Sequence, residues 1–337
     1  MRRTLLIAAL LLALPWLAAT QGQAQTAPAA PGRNPISAEE LELQSALRGG
    51  VVDGRVSIPN PQAAVLIQPE GRDWRAFHNV TLAWVGGIAV LGMLGVLVLY
   101  HLVHGTTRIA GGRSGSTILR FPTIERANHW MVATSFVVLA LSGLNLTFGR
   151  HVLLPLLGPE AFAALSQWGK YAHNFLAFPF TLGIVVMLLL WVKDNLPTWV
   201  DWEWLKAGGG LFGGAHPPAE RFNAGQKLMF WITVLGGGVV AATGFLLLFP
   251  FAATDIAGMQ LSHMLHSILA VLMIAVILGH IYIGTLGVEG AWDAMSTGEV
   301  DVNWALQHHR LWAEAQLARE RAEAAAAPGA VHAGAAD

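Results

Sequence analysis

The sequence predicts an all-α integral membrane protein: a helical bundle with four core transmembrane helices and one additional N-terminal transmembrane helix. Three observations carry this. Of 337 residues, 54 % are hydrophobic and only 12 % charged, about half the roughly 25 % charge of a soluble domain. The mean hydropathy is +0.51. Five windows lack Asp, Glu, Lys and Arg: 76–107, 127–149, 171–192, 228–254 and 256–288. Each reaches the roughly 20 residues that cross about 30 Å of hydrocarbon. Backbone groups in lipid must bond within their own segment, so these windows are helices.

Composition also excludes function classes. The chain has no cysteine, so it holds no cysteine-ligated iron–sulfur cluster, zinc–thiolate site or thiol nucleophile of its own. A net charge of -1 argues against a nucleic-acid partner. Thirteen histidines are the supply of ligands.

The elements follow in order. Residues 1–24 read as a secretory signal: Arg2 and Arg3, an apolar centre from Leu5 to Ala19, and a small-residue exit at Gly22 to Ala24. A retained first helix is the alternative. Residues 25–75 form an exported periplasmic segment, and 76–107 the additional transmembrane helix. Residues 108–310 hold the four core spans. Residues 311–337 are a cytoplasmic tail, with a surface helix at 306–322 and an Ala-rich end.

Charge bias orients the spans. The loops 104–128 and 193–227 and the tail carry four, four and three Lys/Arg, against two and none in loops 150–170 and 251–262. The positive set is cytoplasmic. The mature N-terminus is therefore periplasmic and the C-terminus cytoplasmic, in a multi-pass protein of the bacterial inner membrane.

Ionisable residues inside spans are expensive and mark function. His266 and His280 lie fourteen residues apart in the last span, within roughly 40° of four full turns and separated by about 21 Å of rise. One face therefore offers a ligand at each depth. His173 opens the third span at the periplasmic level and His129 the second at the cytoplasmic level. Depth pairs His173 with His266, and His129 with His280. Two imidazoles from neighbouring helices suit the iron of a six-coordinate b haem in a bundle core. A closed zinc site would want four convergent ligands, and a proton relay would include Asp or Glu, which the spans lack. Gly143, Gly236, Gly237, Gly238, Gly244 and Gly279 admit either a macrocycle or close helix packing. His263 is a minor candidate, hydrogen-bonding a haem neighbour or meeting a partner. His78, His101, His104, His151, His216, His308, His309 and His332 read as solvated or interfacial.

Four strings then stand out together: Arg120 to Trp130 (RFPTIERANHW), Lys170 to Asn174 (KYAHN), Phe222 to Lys227 (FNAGQK), and the last span from His263 to Gly284. In combination they resemble the gamma subunit of membrane-bound formate dehydrogenase, its di-haem cytochrome b, over residues 116–310. The strings SIPNP at 57–61 and LIQPEGRDW at 66–74 resemble the long form of that family. The resemblance implies two haem b groups, one held by His173 and His266 and one by His129 and His280. It implies a quinone site of Asn223, Gly225 and Gln226 beside His280. Amide side chains can donate to a quinone carbonyl, and Asn223 can equally cap the fourth span. Arg120 and Arg126 are candidates for haem propionates, or serve topology alone. The implied partners are an iron–sulfur beta subunit, a catalytic alpha subunit that oxidises formate, membrane lipid and quinone. Loops 150–170 and 251–262, with the exported segment, would form the docking surface. Two rival classes remain: the cytochrome b subunit of another periplasmic oxidoreductase, of hydrogenase or thiosulfate reductase type, and a haem-free transporter.

Overall fold

The structure, a computed structural model, describes residues 71–210 and 217–326, together with Leu41 and Gln44. The expected signal, most of the exported segment, His216, His332 and the end of the tail lie outside the described residues. Contacts divide the chain into residues 1–54 and 55–337, and the five long helices belong to the second unit.

Those five helices are long and apolar enough to cross a membrane. They are α1 (Gly71–His104), α2 (Thr123–Val152), α3 (Leu154–Trp191), α5 (Ala224–Leu248) and α6 (Ile256–Gly287). Between α3 and α5 lies α4 (Trp199–Lys206), a short helix opened by a capping box of Thr198 and Asp201. Its Trp199 and Trp202 are exposed, as suits aromatic side chains at a membrane interface. A single helical turn at Asp293–Ser296 follows the bundle, and then two longer helices, α7 (Val302–His308) and α8 (Arg310–Ala326).

The most extensive packing is α2 on α3, followed by α6 on α1 and on α5. Helix α3 also packs on α5, which closes the four core helices and leaves α1 leaning on α6. Large apolar side chains such as Leu99, Val103, Leu182 and Leu189 face outward, the pattern of a helix bathed in lipid rather than water.

Three helix boundaries differ from those the apolar windows predict. Helix α1 begins at Gly71, inside the expected exported segment. Helix α3 begins at Leu154, so most of the expected loop 150–170 is helical. Residues such as Glu160 and Lys170 end an apolar window but are good helix formers, and the helix continues past the apolar stretch. Gly158 interrupts it with φ 77 and ψ 168, just before Pro159. Helix α5 stops at Leu248, short of residue 254, where Pro250 follows and Phe251 turns the chain at φ 62.

One end of the bundle carries a folded cap. Strands β1 (Thr117–Leu119) and β2 (Glu299–Asp301) pair antiparallel, Ile118 opposite Val300. Gly298 allows the strand to reach α2. Its φ is 93, and a Cβ there would lie 2.5 Å from the Phe121 carbonyl oxygen. Asp301 caps α7 and accepts hydrogen bonds from the Ser114, Gly115 and Asn303 backbone N–H groups. Burial alone would raise its pKa. Its hydrogen bonds to Ser114, Asn303, Trp304 and Gly115 outweigh that and hold it below the usual value. Ala313 of α8 is fully buried, so the division expected at residue 310 falls at the start of a helix that packs into the cap.

The cap is organised around Arg120, 3 % exposed. Its guanidinium lies 5.1, 5.3 and 5.1 Å from the ring centres of Phe121, Trp304 and Trp312. It donates to the Arg221 carbonyl at 2.6 Å and to His309 Nε2 at 3.1 Å. Burial first, and the nearby Arg221 charge second, bring its pKa down to about 9, which leaves it cationic at neutral pH. His309 is a correction to the sequence reading: expected to be solvated or interfacial, it is 1 % exposed within the cap. Its Nδ1–H donates to the Glu220 carbonyl at 2.9 Å, which fixes Nε2 as the acceptor for Arg120.

Candidate functional site

The four intramembrane histidines meet in two pairs. At the cap end, the rings of His129 on α2 and His280 on α6 are 6.2 Å apart, tilted by 56°. Further along the bundle, the rings of His173 on α3 and His266 on α6 are 6.1 Å apart, tilted by 60°. With metal–imidazole bonds of about 2.0 Å, and ring centres roughly 1.1 Å behind the coordinating nitrogens, two imidazoles on opposite sides of one metal have centres about 6.2 Å apart. Both separations fit a single iron between the rings, as in a six-coordinate haem. Among the described residues no group of three or more His, Cys, Asp or Glu is arranged to hold a metal ion. Each pair alone supplies two ligands, the number an iron already held by four porphyrin nitrogens requires.

Local interactions set the orientation of each ring. Ser142 donates its hydroxyl proton to the Val138 carbonyl at 2.7 Å. That hydroxyl can then only accept from His173 Nδ1, at 2.8 Å. His266 Nδ1 lies 3.0 Å from the Val240 carbonyl, which can only accept. Both rings therefore carry their proton on Nδ1 and present Nε2 as a lone pair, the neutral tautomer a metal needs. Gly244 gives the second ring its room: a Cβ there would lie 3.1 Å from His266 Cε1. Gly143 has the same relation to His173 at 3.7 Å. The other glycines divide. Gly236 and Gly237 receive Met273 and Ile184, whereas Gly238 and Gly279 face open space.

His129 is held in depth by its neighbours. Arg126 donates to the Ser296 carbonyl at 2.5 Å, Trp130 to the Met295 carbonyl at 2.9 Å, and Asn128 to the Gly183 carbonyl of α3 at 3.0 Å. These bonds tie the first turns of α2 to the cap and to α3. His129 Nδ1 and Arg126 Nε are buried without a hydrogen-bond partner among the described residues. Arg120 Nη1 is likewise buried without a partner among the described residues, but it lies within the aromatic walls of the cap.

Asn223 and Gln226 meet each other in the first turn of α5. Asn223 Oδ1 accepts from Gln226 N at 2.9 Å, and Gln226 Oε1 accepts from Asn223 N at 3.2 Å, a complete capping box. Gly225 lies beneath Trp204, 3.1 Å from a virtual Cβ. None of the three is hydrogen-bonded to His280 among the described residues. Lys227, from the same string, is 4 % exposed and sits between Asp201 at 2.9 Å and Glu220 at 3.1 Å. Ser142, Val240 and Thr243, whose Oγ1 lies 3.3 Å from His266 Nδ1, are the site residues that sequence reasoning missed. A hydroxyl within a span was the available signal, but its partner depends on how the helices are rotated.

Comparison with known proteins points one way. The family model described as prokaryotic cytochrome b561 matches residues 120–298. Two Escherichia coli (strain K12) proteins are 30 % identical over 200 residues, 58 % of this chain. One is the cytochrome b556(Fdn) subunit of the nitrate-inducible formate dehydrogenase, covered over 89 % of its length. The other is the formate dehydrogenase cytochrome b556(fdo) subunit, covered over 92 %. A formate dehydrogenase cytochrome b556 subunit from Haemophilus influenzae is 28 % identical over 201 residues and covered over 82 %.

Proposed function

The chain belongs to the prokaryotic cytochrome b561 family, and we propose that it is the membrane subunit of a respiratory formate dehydrogenase, with two b haems and a quinone-reducing site. It is a multi-pass bacterial membrane cytochrome b related to formate dehydrogenase cytochrome b subunits, and its family implies haem b. The observation that carries the proposal is the presence of two imidazole pairs, at 6.1 and 6.2 Å, spaced along one helix by about four turns.

His173 and His266 hold one haem iron, and His129 and His280 the other. When bound, the haems supply one-electron carriage between an iron–sulfur beta subunit, fed by a formate-oxidising alpha subunit, and membrane quinone. The chain's own residues do the rest. Ser142 and the Val240 carbonyl fix the Nδ1–H tautomer of His173 and His266 and aim each Nε2. Outward-facing leucines and valines keep the bundle interior dry. Arg126 brings a cationic group with an unused buried donor to the turn before His129, suited to a propionate. Asn223 and Gln226 have committed their oxygens to the cap, which leaves their NH2 groups to donate to a quinone carbonyl. The Lys/Arg bias puts the cap and its quinone site in the cytoplasm and the α5–α6 turn in the periplasm, facing the partner subunits.

A reduced-minus-oxidised spectrum of the purified chain tests the reading. Two b-type components are expected, and His173→Ala or His266→Ala removes one of them. A colourless protein, or an unchanged haem content in both variants, overturns it. In the assembled complex, formate reduces the haem, and Asn223→Ala slows quinone reduction without preventing that reduction.

A further inference from the structure

Away from the cap, α1, the α5–α6 turn and α6 border an open cavity of about 330 Å³ that neither imidazole pair lines. Its apolar walls are Leu247, Phe251, Ile256 and Met259, and its polar wall is Trp74, Gln260 and His263. His263 lies one turn before His266. Its ring is 5.5 Å from Trp74 and 5.2 Å from His78, and Trp74 stacks on His78 at 5.5 Å. The first turns of α1 thus build an aromatic wall against α6.

Two details mark the cavity as a place for a ligand. Trp74 Nε1 and His263 Nδ1 are both buried without a hydrogen-bond partner among the described residues. An indole N–H can only donate, and leaving such a group buried and unpaired is costly.

The same walls define the ligand's chemistry. It must offer an acceptor to Trp74 and a polar atom to His263. The rest of it must be apolar, and flat if it is to lie against the Trp74 and His263 rings. None of the lining residues is Asp, Glu, Lys or Arg. The walls thus offer a phosphate or carboxylate no counter-charge, and the ligand they suit is neutral. We propose that this cavity is a second binding site for a quinone-class ring, its carbonyl received by Trp74 and its other oxygen by His263, remote from Asn223 and the cap. The quinone chemistry extends the redox reading of the chain, while the site rests on its own residues.

Photolabelling of the full-length purified protein with an azido-benzoquinone, followed by peptide mapping, tests this. Label is expected on peptides containing Trp74 or residues 256–263, and excess decyl-benzoquinone should suppress it. Trp74→Phe and His263→Leu each remove one hydrogen bond and should weaken binding about tenfold, and Met259→Trp should fill the cavity and abolish labelling. The haem spectrum of each variant reports whether the bundle is intact. Label confined to the cap end, label that decyl-benzoquinone does not displace, or label lost on adding phospholipid alone or on loading haem overturns the proposal. A colourless preparation would end the haem reading separately, and labelling at this cavity would still be scored.

Discussion

His266 donates its Nδ1–H to the Val240 carbonyl across the α5–α6 contact, at 3.0 Å, and Gly244, one turn further along α5, leaves the space its ring occupies. The two relationships act together: one aims the ring and the other admits it. Gly244→Ala places a methyl group 3.1 Å from His266 Cε1, tighter than ordinary contact. The ring must rotate away from the carbonyl. The expected result is loss or broadening of the haem component assigned to His173 and His266, with the component of His129 and His280 unchanged. Low-temperature difference spectra of the variant read both.

Ser142 has a subtler role. Its oxygen accepts the His173 Nδ1 proton, which makes Nε2 a better electron donor. Ser142→Ala keeps the ligand and removes that acceptor. A more basic ligand stabilises the ferric state, so its loss should raise the midpoint potential of this haem alone. A hydrogen bond of about 1 kcal/mol corresponds to roughly 40 mV for one electron. Redox titration followed at the haem absorption band is the measurement, and haem content should not change.

The spans and both histidine pairs were legible in the sequence for the same reason. Lipid imposes long apolar windows, and a fixed helical rise converts residue number into depth. Helix ends were legible only where charge and backbone chemistry coincide. At Pro250 and Phe251 the chain turns before the apolar run ends, and at Leu154 it is helical before that run begins. Packing between distant segments left no such trace. His309 sits in a polar stretch that reads as solvent-exposed, yet Arg120, 189 residues earlier, makes it part of the cap. Ser142 and Val240 were hidden likewise, because the rotation of one helix against another is not written in either helix alone.

Lys227 belongs to a string that points toward quinone, but its contacts are structural. It links α5 to Asp201 of α4 and to Glu220, and Asp201 is itself largely buried. Lys227→Met strands that carboxylate in a poorly solvated site. Breaking a buried pair from one side costs about 3–5 kcal/mol, so thermal stability of the purified chain should fall sharply. Adding Asp201→Asn removes the stranded charge while keeping a side-chain oxygen for the Thr198 backbone N–H of the capping box, and should restore part of the loss. A scan of haem absorbance against temperature for the single and double variants checks the pair.

The cap should be sensitive to acid through His309. Burial is the main cause that holds its pKa well below the usual value, with Arg120 adding repulsion and His308 a smaller share, against the Glu220 carbonyl, which favours the protonated ring. The unfolded chain takes up a proton at this residue near pH 6.5, and the folded cap does so only at lower pH. The contribution is therefore complete above about pH 6.5 and declines as pH falls below it, by up to about 1.4 kcal/mol per pH unit for one proton. Protonation also removes the Nε2 acceptor and turns a hydrogen bond to Arg120 into a contact between two cations. Tryptophan fluorescence melts at about pH 7.5 and pH 5 should show the wild-type cap loosening in acid. His309→Gln, which cannot titrate, should be less stable at the higher pH and show a smaller further loss at the lower one. The difference between the two slopes isolates His309 from the histidines within the spans.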